Sequence, residues 1–209
     1  MTTELVKVIP SILWFLLVIL LLVLFYRPIR DELLPNLGGF KAMGVELSFV
    51  KDSIDAALEL AEKSPQWKVE VSSKDKERAL KRAKKHLNVF RGARFLWVDD
   101  HPENNLNELV MFGQLRVVTQ TAENTEEALD ILKNHQFDLV ISDMARGNEP
   151  TAGLKFLKQI GKENETAPMI FYVGVLDRET GIPAQAFGIT NRPDELLHLT
   201  LDVLERKKC

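Results

Sequence analysis

Twice in this chain a short apolar run ends abruptly in aspartate. Phe95-Leu96-Trp97-Val98 runs into Asp99 and Asp100, and Leu139-Val140-Ile141-Ser142 runs into Asp143. A brief run without a polar face reads as a strand buried on both sides, the pattern of a parallel sheet. Unpaired carboxylates are too costly to bury inside such a strand, so each acid belongs at its carboxyl end. That edge is where open α/β sheets bind their ligands. Taken alone, Asp99 and Asp100 read as a turn that caps the next helix. The second acid-ended strand changes the weighting. In a parallel sheet all carboxyl ends share one edge, so Asp99, Asp100 and Asp143 are expected to converge there. Like charges that close repel, and a divalent cation relieves the repulsion. Three carboxylates form a hard oxygen site of the kind Mg²⁺ prefers.

From Arg94 onward strands and helices alternate regularly. Strands are expected at Phe95–Val98, Arg116–Thr121, Phe137–Ser142, Pro168–Val173 and Phe187–Thr190. Between them lie helical patterns. Pro102–Phe112 turns Leu106, Leu109 and Val110 inward, and Thr125–Asn134 carries Asn124 as its cap, with Glu127 three residues later. Ala152–Gly161 is a third helix, Asp177–Ala186 a weak one broken by Gly181 and Pro183, and Pro193–Lys207 the last. Acids at the start of that last helix and bases at its end suit its dipole. Five strands separated by helices predict an α/β fold, a five-stranded parallel doubly wound sheet.

This part of the sequence resembles a response-regulator receiver domain. The resemblance spans Arg94 to about Lys207 and rests on "FLWVDD", "FDLVISDM" and the five-strand βα order. It implies that Asp99 and Asp100 hold Mg²⁺, with Asp143 completing the site, and that Asp143 accepts a phosphoryl group from a sensor histidine kinase. Two positions depart from the family pattern. Val173 stands where a threonine or serine hydroxyl is expected, and valine cannot donate that hydrogen bond. Arg192 stands where the family has a lysine before proline, and the two cations are not interchangeable. Two readings follow: a receiver phosphorylated on Asp143, or a pseudo-receiver that acts as a phosphorylation-independent interaction module. An enzyme is not expected, because no glycine-rich phosphate loop or nucleophile elbow is present. Near the acids, His101 is either a ligand or a solvent-exposed loop residue, and Arg146 either neutralises an anion or lies on the surface.

Upstream, residues Val8 to Tyr26 contain no charged side chain and are flanked by Lys7, Arg27 and Arg30. At ~1.5 Å per residue a helix of that length spans roughly 28 Å, about one bilayer core. No small-residue cleavage pattern follows, which argues against a signal peptide. The expectation is a single-pass anchor, residues 1–30 with its flank, that reaches membrane lipid through the N-terminal helix. The flanking charge places the remainder on the cytoplasmic side. Residues 31–92 are expected to be a juxtamembrane and basic helical connector, and 93–209 the receiver-like domain. Within the connector Val45–Val50 alternates, suggesting a short strand or docking segment, and Lys51–Lys63 reads as helical. A further helix starts near Ser72 or Ser73. Its lysines and arginines belong either to a solvated spacer or to a surface beside anionic lipid. Nucleic acid is not expected as a partner: the net charge is -3, and no aromatic platform is interleaved with the basic residues. The only cysteine, Cys209, builds no disulfide framework.

Overall fold

The computed structural model describes residues 71–161, 167–176 and 181–207, together with 14, 48, 50–56 and 59. The expected membrane span at 8–26, apart from Trp14, lies outside the described residues. Among the described residues no helix is long and apolar enough to cross a membrane. The first half of the weak helix expected at 177–186 is likewise outside them, and 181–186 form no helix.

Two helices, α1 (Ser73–Lys85) and α2 (Leu87–Phe90), precede β1 (Arg94–Val98). A 3₁₀ turn at Pro102–Asn105 leads into α3 (Leu106–Gln114), followed by β2 (Val118–Ala122) and α4 (Thr125–Asn134). Then come β3 (Leu139–Ser142), α5 (Ala152–Ile160), β4 (Met169–Tyr172), β5 (Gly188–Thr190) and α6 (Pro193–Lys207). The strands form one parallel sheet in the order β2-β1-β3-β4-β5. Strand order reverses between β1 and β3, which opens a crevice at their carboxyl ends.

Along β1, β3 and β4 side chains alternate between two buried faces. Phe95, Trp97, Leu139, Ile141, Ile170 and Tyr172 join one core, which α1, α3 and α6 complete. Leu96, Val98, Val140, Met169, Phe171 and Val173 join the other, beneath α4 and α5. Phe95 and Phe112 meet edge to face at 5.2 Å, as do Trp97 and Tyr172 at 5.8 Å.

Two expectations need correction. Ser48 and residues 50–56 are helical, so the two described residues of the Val45–Val50 stretch, Ser48 and Val50, are not in a strand. Val50 and Ile54 are buried four residues apart, the helical repeat that favours helix over alternation here. Leu106 and Val110 do not point inward; they are 58% and 50% exposed. The tighter 3₁₀ turn ahead of α3 rotates the helix, so Asn105, Glu108, Met111 and Phe112 take the inner face. Glu46–Cys209 is one compact unit, so the packing continues across 92/93. The expected connector helix α1 is capped by Ser72, whose oxygen accepts from the amide of Asp75. It lies on α6 and buries Ala79 and Ala83 in the shared core. Small side chains let the two helices approach closely. Arg82 then bridges Asp202 at 2.5 Å and Glu205 at 2.9 Å across the seam.

Candidate functional site

The register Val98↔Ser142 aligns the ends of β1 and β3, and the amide of Asp143 donates to the carbonyl of Val98 at 2.9 Å. Asp99, Asp100 and Asp143 therefore leave the sheet side by side. Each presents a carboxylate oxygen, and these oxygens lie within 4.8 Å of one another. An open pocket of about 170 Å³ lies against them, lined also by His101, Asn105, Tyr172 and Val173.

Each acid is held by short hydrogen bonds. Asp99 accepts from the His101 amide and from the side-chain amide of Asn105, both at 2.8 Å. Asp100 accepts from the amide of Gly147 at 2.7 Å, which ties the loop after β3 to the end of β1. Asp143 Oδ1 accepts from the amide of Met144 at 2.7 Å. Burial raises the pKa of Asp99, and the neighbouring Asp100 adds to the rise. Burial, followed by the charges of Asp99 and Asp100, lifts Asp143 from 3.8 to about 6. A bound cation reverses this effect, so the donor set fits a hard divalent ion: three carboxylates, clustered, part-buried and mutually repelling.

Arg146 is not a surface residue. It is 7% exposed and donates to the Ser142 hydroxyl at 2.7 Å, the Asp143 carbonyl at 3.0 Å and the Thr125 hydroxyl at 2.7 Å. Its guanidinium also lies over the ring of Phe156. It thus fastens the loop after β3 to the start of α4 and sets a positive charge behind the acids. His101 is exposed and its ring pairs with Glu103 at 3.1 Å, which raises its pKa.

The two divergent positions behave differently. Val173 is buried and lines the pocket, offering no donor there. Arg192 is engaged elsewhere: its Nη2 donates to Asp194 at 2.6 Å and lies 3.6 Å from Asp75 of α1.

Sequence reasoning missed two residues. Glu108 is 3% exposed and accepts a 2.6 Å hydrogen bond from the hydroxyl of Tyr172. Burial raises the pKa of both. The pair fixes α3 against β4 immediately behind the pocket. Its spacing from Asn105 and Met111 was the available clue, since all three share one helical face. Gly153 is the other. A Cβ there would meet the Asp143 carbonyl at 2.5 Å and Phe171 at 2.8 Å. Only glycine lets α5 come this close to the end of β3, where its amide donates to the Met144 carbonyl.

Residues 95–191 match the sequence model of the response regulator receiver domain. Solved structures of similar fold include the receiver domain of Francisella response regulator 1452. It is 20% identical, with 56% of this chain and 99% of that one covered, at a TM-score of 0.50. Another is the Thermotoga maritima response regulator TrrA in complex with Mg²⁺-BeF, 25% identical over 53% and 98%, at 0.46. A third is a response regulator receiver domain protein from Clostridium thermocellum, 24% identical over 56% and 97%, at 0.48. No curated protein matches the chain in sequence. Over residues 95–191 the chain is thus similar in sequence to response regulator receiver domains, and its sheet has the fold of that Francisella receiver domain.

Proposed function

We propose that the chain is a membrane-tethered receiver in a phosphorelay, with Asp143 as its phosphoacceptor. The observation that carries the reading is the convergence of Asp99, Asp100 and Asp143, whose ligand oxygens lie within 4.8 Å of one another. These three residues would hold Mg²⁺, which supplies charge neutralisation for an incoming phosphoryl group. The protein's own part is preorganisation. The Met144 amide fixes one oxygen of Asp143, Asn105 and the His101 amide fix Asp99, and the Gly147 amide fixes Asp100. Buried Arg146 opposes the negative charge from behind. The Asp143 carboxylate attacks phosphorus, forming an O–P bond. The P–N bond of a phosphohistidine on a sensor kinase breaks, and the imidazole leaves with the electron pair and takes a proton from water. The chain acts as acceptor and signalling partner rather than as an enzyme. The uncharged run at 8–26 supports a single-pass anchor with this domain on the cytoplasmic side.

The test is incubation of the full chain with acetyl phosphate, with and without Mg²⁺. The expected result is one hydroxylamine-sensitive adduct on Asp143 that needs Mg²⁺ and is absent from Asp143→Asn. If the wild type forms no adduct under any condition, phosphoryl transfer is excluded and a pseudo-receiver remains. Resistance of the chain to alkaline extraction from membranes tests the anchor.

A further inference from the structure

Helix α1 is polarised in charge, and its packing decides which side faces outward. Ala79 and Ala83 are buried against α6, and the cations on their flanks are neutralised within the fold. Lys76 pairs with Asp55 at 3.0 Å, and Arg82 with Asp202 and Glu205. The opposite side carries Lys74, Arg78, Lys81 and Lys85, spaced i, i+4, i+7 and i+11, which places them in one row along the helix. All four are exposed. Arg78 touches Asp75 at 3.4 Å, whereas Lys74, Lys81 and Lys85 form no ion pair among the described residues. Thirteen residues of helix make a row ~20 Å long, in which each cation lies within about one screening length of the next.

We propose that this row of α1 is a docking surface for anionic lipid headgroups. Charge complementarity identifies the partner, and the uncharged run at 8–26 of the same chain favours a bilayer over other polyanions. Nucleic acid is the weaker fit, since α1 contains no aromatic residue on which a base would stack. The inference rests on the reading that residues 8–26 anchor the chain, and it adds a second contact. It makes the membrane, through α1 and its seam with α6, a physical neighbour of the receiver fold.

The test uses the full chain carrying Cys209→Ser and an environment-sensitive dye on Glu77→Cys, beside the row. The chain is placed in nanodiscs of phosphatidylcholine alone or with phosphatidylserine. The expected result is a blue shift in the anionic discs only. That shift should disappear at high salt and in the triple variant Lys74→Gln, Lys81→Gln, Lys85→Gln, which keeps the wild-type circular dichroism. Equal emission in both discs, or a shift that salt and the variant leave intact, overturns the proposal. So does a shift produced by RNA in neutral discs without one from phosphatidylserine. If the chain does not enter neutral discs, the anchor reading fails by itself. Sedimentation with phosphatidylserine vesicles then decides the row: salt-sensitive binding, weakened about a hundredfold by the triple variant, supports it, and no binding overturns it.

Discussion

The two sides of the acid pocket are organised on different principles. On the β1–β3 side, three carboxylates leave adjacent strand ends, and backbone amides from the loops after β1 and β3 hold them in place. On the β4–β5 side, Val173 offers the pocket only hydrocarbon, and Arg192 is committed to Asp194 and to Asp75 of α1. One side is equipped for chemistry. The other connects the sheet to α1, a helix that precedes β1. A binding site and its readout are therefore separable: the acids keep their geometry although the residues across the pocket answer to a different neighbour.

The largest effect that would break this contrast is loss of transfer. Asp143→Asn should abolish the adduct entirely, as seen by intact-mass analysis after acetyl phosphate treatment. An adduct of undiminished yield would move the acceptor elsewhere.

Gly153→Ala comes next, because a methyl group at this position collides with the Asp143 backbone and the Phe171 ring. The expected cost is about 1–3 kcal/mol in denaturant unfolding, accompanied by weaker Mg²⁺ binding. An unchanged midpoint and unchanged affinity would show that the close approach relaxes freely.

Third is the dependence on pH. The carboxyl of Asp143 is held above its ordinary 3.8, at about 6, so the native chain binds the extra proton between those values. Its contribution to stability is present below 3.8 and is lost as pH rises through about 6. After discounting for partial solvent screening, Asp143→Asn should stabilise the metal-free protein by ~1–2 kcal/mol at neutral pH and by almost nothing near pH 4. Mg²⁺ should raise the wild-type Tm at neutral pH and leave the variant's nearly unchanged. Thermal melts at both pH values read this directly; a gain that persists at pH 4 would place its origin elsewhere.

The smallest effect is expected across the pocket. Arg192→Gln should leave the Mg²⁺-dependent transfer rate essentially unchanged while lowering thermal stability, since it strands the buried carboxylate of Asp194. A collapse in rate with stability intact would show that Arg192 reaches the acids, and the contrast between the two sides would dissolve.

Much of this arrangement was legible in the sequence. Apolar runs that stop at Asp99, Asp100 and Asp143 give the strands, their parallel pairing and the shared edge, because a doubly buried strand has no other place for a carboxylate. Helix α6 begins at Pro193 and ends at Lys207, as its charge pattern predicts. Tyr172 and Val173 join opposite cores, as alternation along a strand requires, although both border the pocket.

Other features depended on side-chain contacts made only in the folded chain. The rotation of α3, which hides Glu108 and exposes Leu106, is set by the preceding 3₁₀ turn and by the bond from Asn105 to Asp99. The burial of Arg146 depends on Thr125, and the engagement of Arg192 on Asp75, partners that no local pattern identifies. The basic residues of α1 were plain in composition, but which of them face outward was fixed only when Ala79 and Ala83 packed onto α6. Periodicity and the cost of burying charge act along the chain and can be read from it. The phase of a helix and the partner of a cation are decided by whatever the fold brings alongside.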